Sequence, residues 1–111
     1  MKLAIIGSRG LFPSAEQIGS ALFCEVTEIV SGGARGVDSC ARAFAEARGI
    51  PYRDFLPDYA AFGRAAPILR NLSILDYADA VLAFWDGASR GTAFMIDRCK
   101  KQNKPLCVIR L

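Results

Sequence analysis

An α/β fold, with helices on both faces of a five-stranded, mainly parallel sheet, is what this sequence predicts, and three observations predict it. Short apolar runs recur at Leu3 to Ile6, Val26 to Val30, Tyr52 to Leu56, Asp79 to Phe84 and Pro105 to Arg110, and the segments between them repeat their apolar residues at helical spacing. The first run is continuous rather than alternating, as a strand buried on both faces must be. Three of the runs end in turns of small residues that each carry an arginine: Gly7-Ser8-Arg9-Gly10, Ser31-Gly32-Gly33-Ala34-Arg35-Gly36-Val37-Asp38 and Asp86-Gly87-Ala88-Ser89-Arg90-Gly91-Thr92. Right-handed crossovers between such units give a single three-layer αβα domain over residues 1–111. The predicted strand order is 3-2-1-4-5, with a crevice between strands one and four, where the winding reverses.

Taken in order, the first strand is central and its exit loop leads to Pro13 and Ser14, which open a helix from about Ser14 to Phe23 with Ile18, Leu22 and Phe23 on one side. After the second strand comes a helix whose apolar face is Val37, Cys40, Ala41, Phe44 and Ala45, stopped by Gly49 and Pro51. The third run carries Arg53 and Asp54, which suits an edge strand. Residues 57–78 are the least regular part, with a helix predicted from near Pro67 to Tyr77. Thr92 opens the fourth helix, whose apolar face is Met95, Ile96 and Cys99 and whose last turns hold Arg98, Lys100 and Lys101.

Composition narrows the chemistry. At 111 residues and 52% apolar the chain can bury a usable core, and a net charge of +3 (14 basic, 11 acidic residues) leaves no broad nucleic-acid footprint. Any preference for anions must come from placement. The chain has no histidine, which excludes a conventional zinc site and a Ser-His or Cys-His nucleophile pair. Cys24, Cys40, Cys99 and Cys107 match no metal spacing. The last three fall on apolar helix or strand positions and read as small core residues, and free thiols suit a reducing, cytoplasmic setting. The apolar run after Met1 is too short for a signal peptide or a membrane span. No cofactor, metal or membrane is called for.

The turn from Ser31 to Asp38 is the most informative stretch. Glycines let peptide N–H groups approach a ligand without intervening Cβ atoms, and the helix that follows presents unpaired N–H donors and the positive end of its dipole. With Arg35 as a forked cation beside it, the turn suits phosphate or carboxylate, although a strand-to-helix turn needs glycine in any case. In an open parallel sheet the other two arginine-bearing turns would meet it at one edge.

Together with the pair Arg70-Asn71 and the run Phe84-Trp85 before the third turn, these motifs resemble the SLOG superfamily. This Rossmann-like group includes the DNA-processing protein A (Smf) family and the Lonely Guy phosphoribohydrolases, and the likeness is to its small stand-alone YspA/YpsA-related branch in particular. The resemblance spans Leu3 to about Ile109. It implies a pocket for a nucleotide or nucleotide-derived ligand. There, Gly7, Ser8 and Arg9 would border base and ribose or a phosphate. Ser31, Gly32, Gly33, Arg35 and Gly36 would cradle phosphate, Gly87, Ser89, Gly91 and Thr92 would form a second phosphate-facing turn, and Arg70 and Asn71 would face the pocket from their helix. A homodimer is implied too, and single-stranded DNA is an alternative partner through the DNA-processing relatives.

Whether the chain is an enzyme stays open. Lonely Guy enzymes carry glutamates two and three residues after the threonine of their second turn; here those positions are Phe94 and Met95. Asp38 and Asp86 are the remaining loop acids. Each has a catalytic reading, in N-glycosidic cleavage, and a structural one, Asp38 at a helix start and Asp86 in an Asx-type turn. Asn71 could likewise cap backbone, and Trp85 could stack on a base or pack at a subunit contact.

Overall fold

The computed structural model describes residues 1–111. Along the chain run β1 (Lys2–Gly7), α1 (Ala15–Ala21), β2 (Glu28–Ser31), α2 (Val37–Arg48), β3 (Tyr52–Asp54), α3 (Tyr59–Phe62), a 3-10 turn (Gly63–Ala65), α4 (Ala66–Tyr77), β4 (Ala80–Trp85), α5 (Arg90–Lys101) and β5 (Leu106–Arg110). Every strand pairing is parallel and the order is β3-β2-β1-β4-β5, the Rossmann-like arrangement that the sequence predicts.

Alternation along β1 divides the core in two. Leu3 and Ile5 face α1 and α2, packing with Ile18, Val37, Phe44, Ile29, Leu82 and Phe84. Ala4 and Ile6 face α4 and α5, packing with Val30, Val81, Ile74, Leu75, Met95 and Cys99. Leu3 to Ile6 are all buried, which is why this run is apolar throughout. Each large side chain so buried contributes about 1.5–3 kcal/mol. No helix is long and apolar enough to cross a membrane.

Local chemistry sets the element ends. Ser14 and Gln17 form a reciprocal capping box at the start of α1. The helix stops at Ala21, short of the predicted Phe23, because the extended chain beyond it packs Leu22, Cys24 and Val26 in alternation against the core. Within the stretch expected to be least regular, residues 59–65 form α3 and the 3-10 turn; the Asp58 carboxylate accepts from the Ala61 amide at 3.0 Å and so starts a helix of four residues. In α5 the cap is Ser89, three residues ahead of Thr92. β3 and β5 are the sheet edges.

The loop after β2 rests on the loop after β1. Gly36 holds a positive φ of 81°, and a Cβ there would collide with the backbone of Arg9. Gly36→Ala is therefore expected to destabilise the chain by about 2 kcal/mol or more, read as a lower midpoint in urea denaturation. An unchanged midpoint would contradict this packing.

Candidate functional site

The carboxyl ends of β1, β2 and β4, with one stripe of α4, enclose a cleft of about 460 Å³. It lies where β1 pairs with β2 on one side and β4 on the other, so that the chain leaves β1 and β2 toward one face and β4 toward the opposite face.

Hydrogen bonds fasten the loops to one another. The Ser8 amide donates to the Phe84 carbonyl at 3.2 Å, and the Ser8 hydroxyl accepts from the Asp86 amide at 3.3 Å. Asp86 in turn holds its own turn closed, Oδ1 accepting from the Ala88 and Ser89 amides, both at 2.8 Å. These bonds, that of Ser89 first, hold its carboxyl below the usual range. Trp85 Nε1 donates to the Ser89 carbonyl at 3.0 Å while the Arg110 guanidinium lies over the indole ring, so Trp85 braces the turn instead of entering the cleft.

Two helices begin at this edge. The first turn of α5 lines the cleft through Gly91 and Thr92, and that of α2 through Asp38. Neither the Arg90 and Gly91 amides nor those of Val37 and Asp38 have a partner in the chain, as expected of first-turn N–H groups. Gly36, the N-cap of α2, supplies no side-chain acceptor.

Arg70 reaches in from α4. Its Nη1 donates to the Gly32 carbonyl at 2.5 Å and to the Phe55 carbonyl at 3.3 Å, and its Nε donates to Asn71 Oδ1 at 2.8 Å, leaving Nη2 without a partner in the chain. Gly32 is glycine for lack of space: a Cβ would lie 2.6 Å from Arg70 Nη1 and 2.9 Å from Asp38 Oδ2. Asp38 is buried, 7% exposed, with Oδ2 accepting from the Ala34 amide at 3.2 Å. Burial pushes its carboxyl above the ordinary value, opposed by the Ser31 hydroxyl, the Ala34 and Gly32 amides and the charge of Arg70.

Of the residues singled out from sequence, Gly7, Ser8, Arg9, Gly32, Asp38, Arg70, Asn71, Asp86, Ser89, Gly91 and Thr92 line this one cleft. Ser31, Gly33, Arg35, Gly36 and Gly87 lie outside its lining. The Ser31 hydroxyl is buried and donates to the Ile5 carbonyl at 2.7 Å, joining β2 to β1. Gly33 abuts Leu56, Gly36 abuts Arg9, Gly87 sits beneath the Arg110 guanidinium, and Arg35 is exposed. Phe94 packs under Arg98, while Met95 forms part of the cleft wall.

Sequence reasoning passed over Ile6, Gly10, Ala34, Pro67 and Ile74. A signal existed for two of them: Pro67, Arg70, Asn71 and Ile74 stand at i, i+3, i+4 and i+7, a single helix stripe interrupted by polar residues. No group of three or more His, Cys, Asp or Glu side chains is placed to hold a metal ion, and the four cysteines are free. Comparison with protein-family models, with curated proteins and with solved structures finds no match.

The raised carboxyl of Asp38 has a thermodynamic sign. Folded chain holds that proton more tightly than unfolded chain, so the contribution is intact below the unfolded value near about pH 4 and is lost as pH rises through the raised folded value. Asp38→Asn removes the ionisation and keeps an oxygen for the Ala34 amide. In thermal denaturation across this range, the variant's Tm minus the wild type's should therefore increase as pH rises; a difference that decreases with rising pH would contradict the assignment.

Proposed function

We propose that the cleft binds a nucleotide or nucleotide-derived ligand through its phosphate. The observation that carries this reading is the convergence of two helix first turns and the anchored Arg70 guanidinium on one space at the sheet's carboxyl edge. Unpaired amides and the positive dipole ends favour an anion, and a fork held by two carbonyls and Asn71 still has Nη2 to offer. Only four of the 17 lining residues are hydrophobic, so the space suits a polar guest rather than a greasy one. A volume of about 460 Å³ lies within the range that small-molecule sites occupy. The likeness to the SLOG superfamily supports the same reading, since Ser8, Arg9, Gly32, Arg70, Asn71 and Gly91 of its motifs lie along this cleft.

Gly91 permits a clean test. It lines the cleft, and a Cβ added there meets nothing within 4 Å. Gly91→Asp puts a carboxylate in the first turn of α5, where it favours the helix but repels an anion. In calorimetric titrations with the four ribonucleoside 5′-monophosphates, wild-type chain should bind at least one of them and the variant should bind it about tenfold or more weakly, without losing thermal stability. Failure of all four to bind, or undiminished binding by the variant, would overturn the reading.

A second reading, N-glycosidic cleavage, has its own observation. Asp38 and Asp86 line the same cleft with carboxyls pushed in opposite directions, the pattern of an acid and its complementary base. Incubation with nucleoside monophosphates or ADP-ribose should then release free base or nicotinamide-type leaving groups, and both Asp38→Asn and Asp86→Asn should abolish the release. Intact nucleotide after prolonged incubation would leave binding alone.

A further inference from the structure

We propose that Asp38 accepts a hydrogen bond from a free sugar hydroxyl of the ligand, so that the cleft takes ribonucleotides with unesterified hydroxyls in preference to nucleic-acid chains. The inference rests on the nucleotide reading above and goes on to name the ligand class.

Asp38 is the anomaly in an anion site. The residue is 7% exposed and lines the cleft, and the one well-formed hydrogen bond it receives from the chain is that of the Ala34 amide to Oδ2, with the Ser31 hydroxyl and Gly32 amide close by. Oδ1 receives no well-formed hydrogen bond from the chain and is not sealed from the cleft. Nor is the carboxylate neutralised by a direct ion pair: the four ion pairs of the chain lie elsewhere, and Arg70, whose charge is felt at Asp38, directs Nη1 to the Gly32 and Phe55 carbonyls. An acceptor that stays accessible from the cleft is open to a donor on whatever enters it.

Ionised phosphate oxygens cannot be that donor, because they carry no hydrogen and two negative groups would repel each other. The group presented to Asp38 must therefore be a part of the ligand that carries hydrogen on oxygen or nitrogen. On a mononucleotide bound by its phosphate, the nearest such groups along the molecule are the ribose hydroxyls. Internal residues of a DNA strand have none, since the 3′ oxygen is esterified and the 2′ oxygen is missing. A strand of DNA would bring phosphates to Asp38 and no sugar hydroxyl.

The test compares AMP and UMP with their 2′,3′-dideoxy counterparts by titration calorimetry. Wild-type chain should bind the hydroxylated member about tenfold or more tightly than its dideoxy partner. Asp38→Ala should bring that ratio close to one, and Asp38→Asn, which replaces an acceptor by a donor, should lower it. Equal affinity of wild type for both members overturns the inference and leaves the phosphate reading standing. A ratio preserved in both variants also overturns it, as does binding of AMP but not UMP irrespective of the sugar, which would assign Asp38 to the base amine. Binding of no mononucleotide removes the nucleotide reading and this inference together. The wild-type comparison needs no substitution, so it decides even where a variant fails to fold.

Discussion

The placement of β1 between β2 and β4, parallel to both, is the constraint on which the remaining architecture depends. A right-handed connection from β1 to β2 sends α1 to one face, and a right-handed connection from β4 to β5 sends α5 to the other. The loops leaving β1 and β4 must then diverge, and the space between them cannot be closed by either helix. The cleft is thus a consequence of strand order before it is a consequence of any side chain. What the side chains do is keep it from collapsing: the Ser8 hydroxyl, the Asp86 carboxylate and the Trp85 indole each hold a loop in place from outside the open space or from its margin.

The electrostatics of this space are mixed rather than uniformly positive. Unpaired amides at two helix starts and the Arg70 guanidinium favour negative charge, while Asp38 and Asp86 bring negative charge of their own. The two acids differ in kind. Asp86 is exposed and its Oδ1 closes its own turn through two amides, whereas Asp38 is buried and its Oδ2 takes the Ala34 amide. On the reading proposed above, such a site would discriminate among anions by what else they carry, because charge alone finds both attraction and repulsion in it.

Much of this was legible in the sequence. Uninterrupted apolar runs in Leu3 to Ile6 and Ala80 to Phe84 announce strands covered on both sides, and the crossover rule converts their order along the chain into an order across the sheet. Small residues with an arginine after three strands pointed to the edge at which the cleft lies. What sequence could not say was on which side of a turn each side chain leaves. Arg35 and Gly36 sit amid the most suggestive motif, yet the positive φ of Gly36 turns the chain against Arg9, and Arg35 lies outside the cleft lining. Ile6, Ile74 and Met95 escaped notice for the opposite reason: apolar periodicity assigned them to the core, and they are core residues that also form the cleft wall. Short α3 escaped because a helix of four residues has no periodicity to detect, only its Asp58 cap.

Arg70 shows how a helix residue can be made ready in advance. An arginine on an open surface samples many rotamers and surrenders them when it grips a partner. Here three hydrogen bonds, to Gly32, Phe55 and Asn71, have already frozen the side chain, and the entropic toll was exacted when the chain folded. On the reading proposed above, a guest at Nη2 would meet a preorganised fork, and each contact there would yield more affinity than the same contact with a mobile cation.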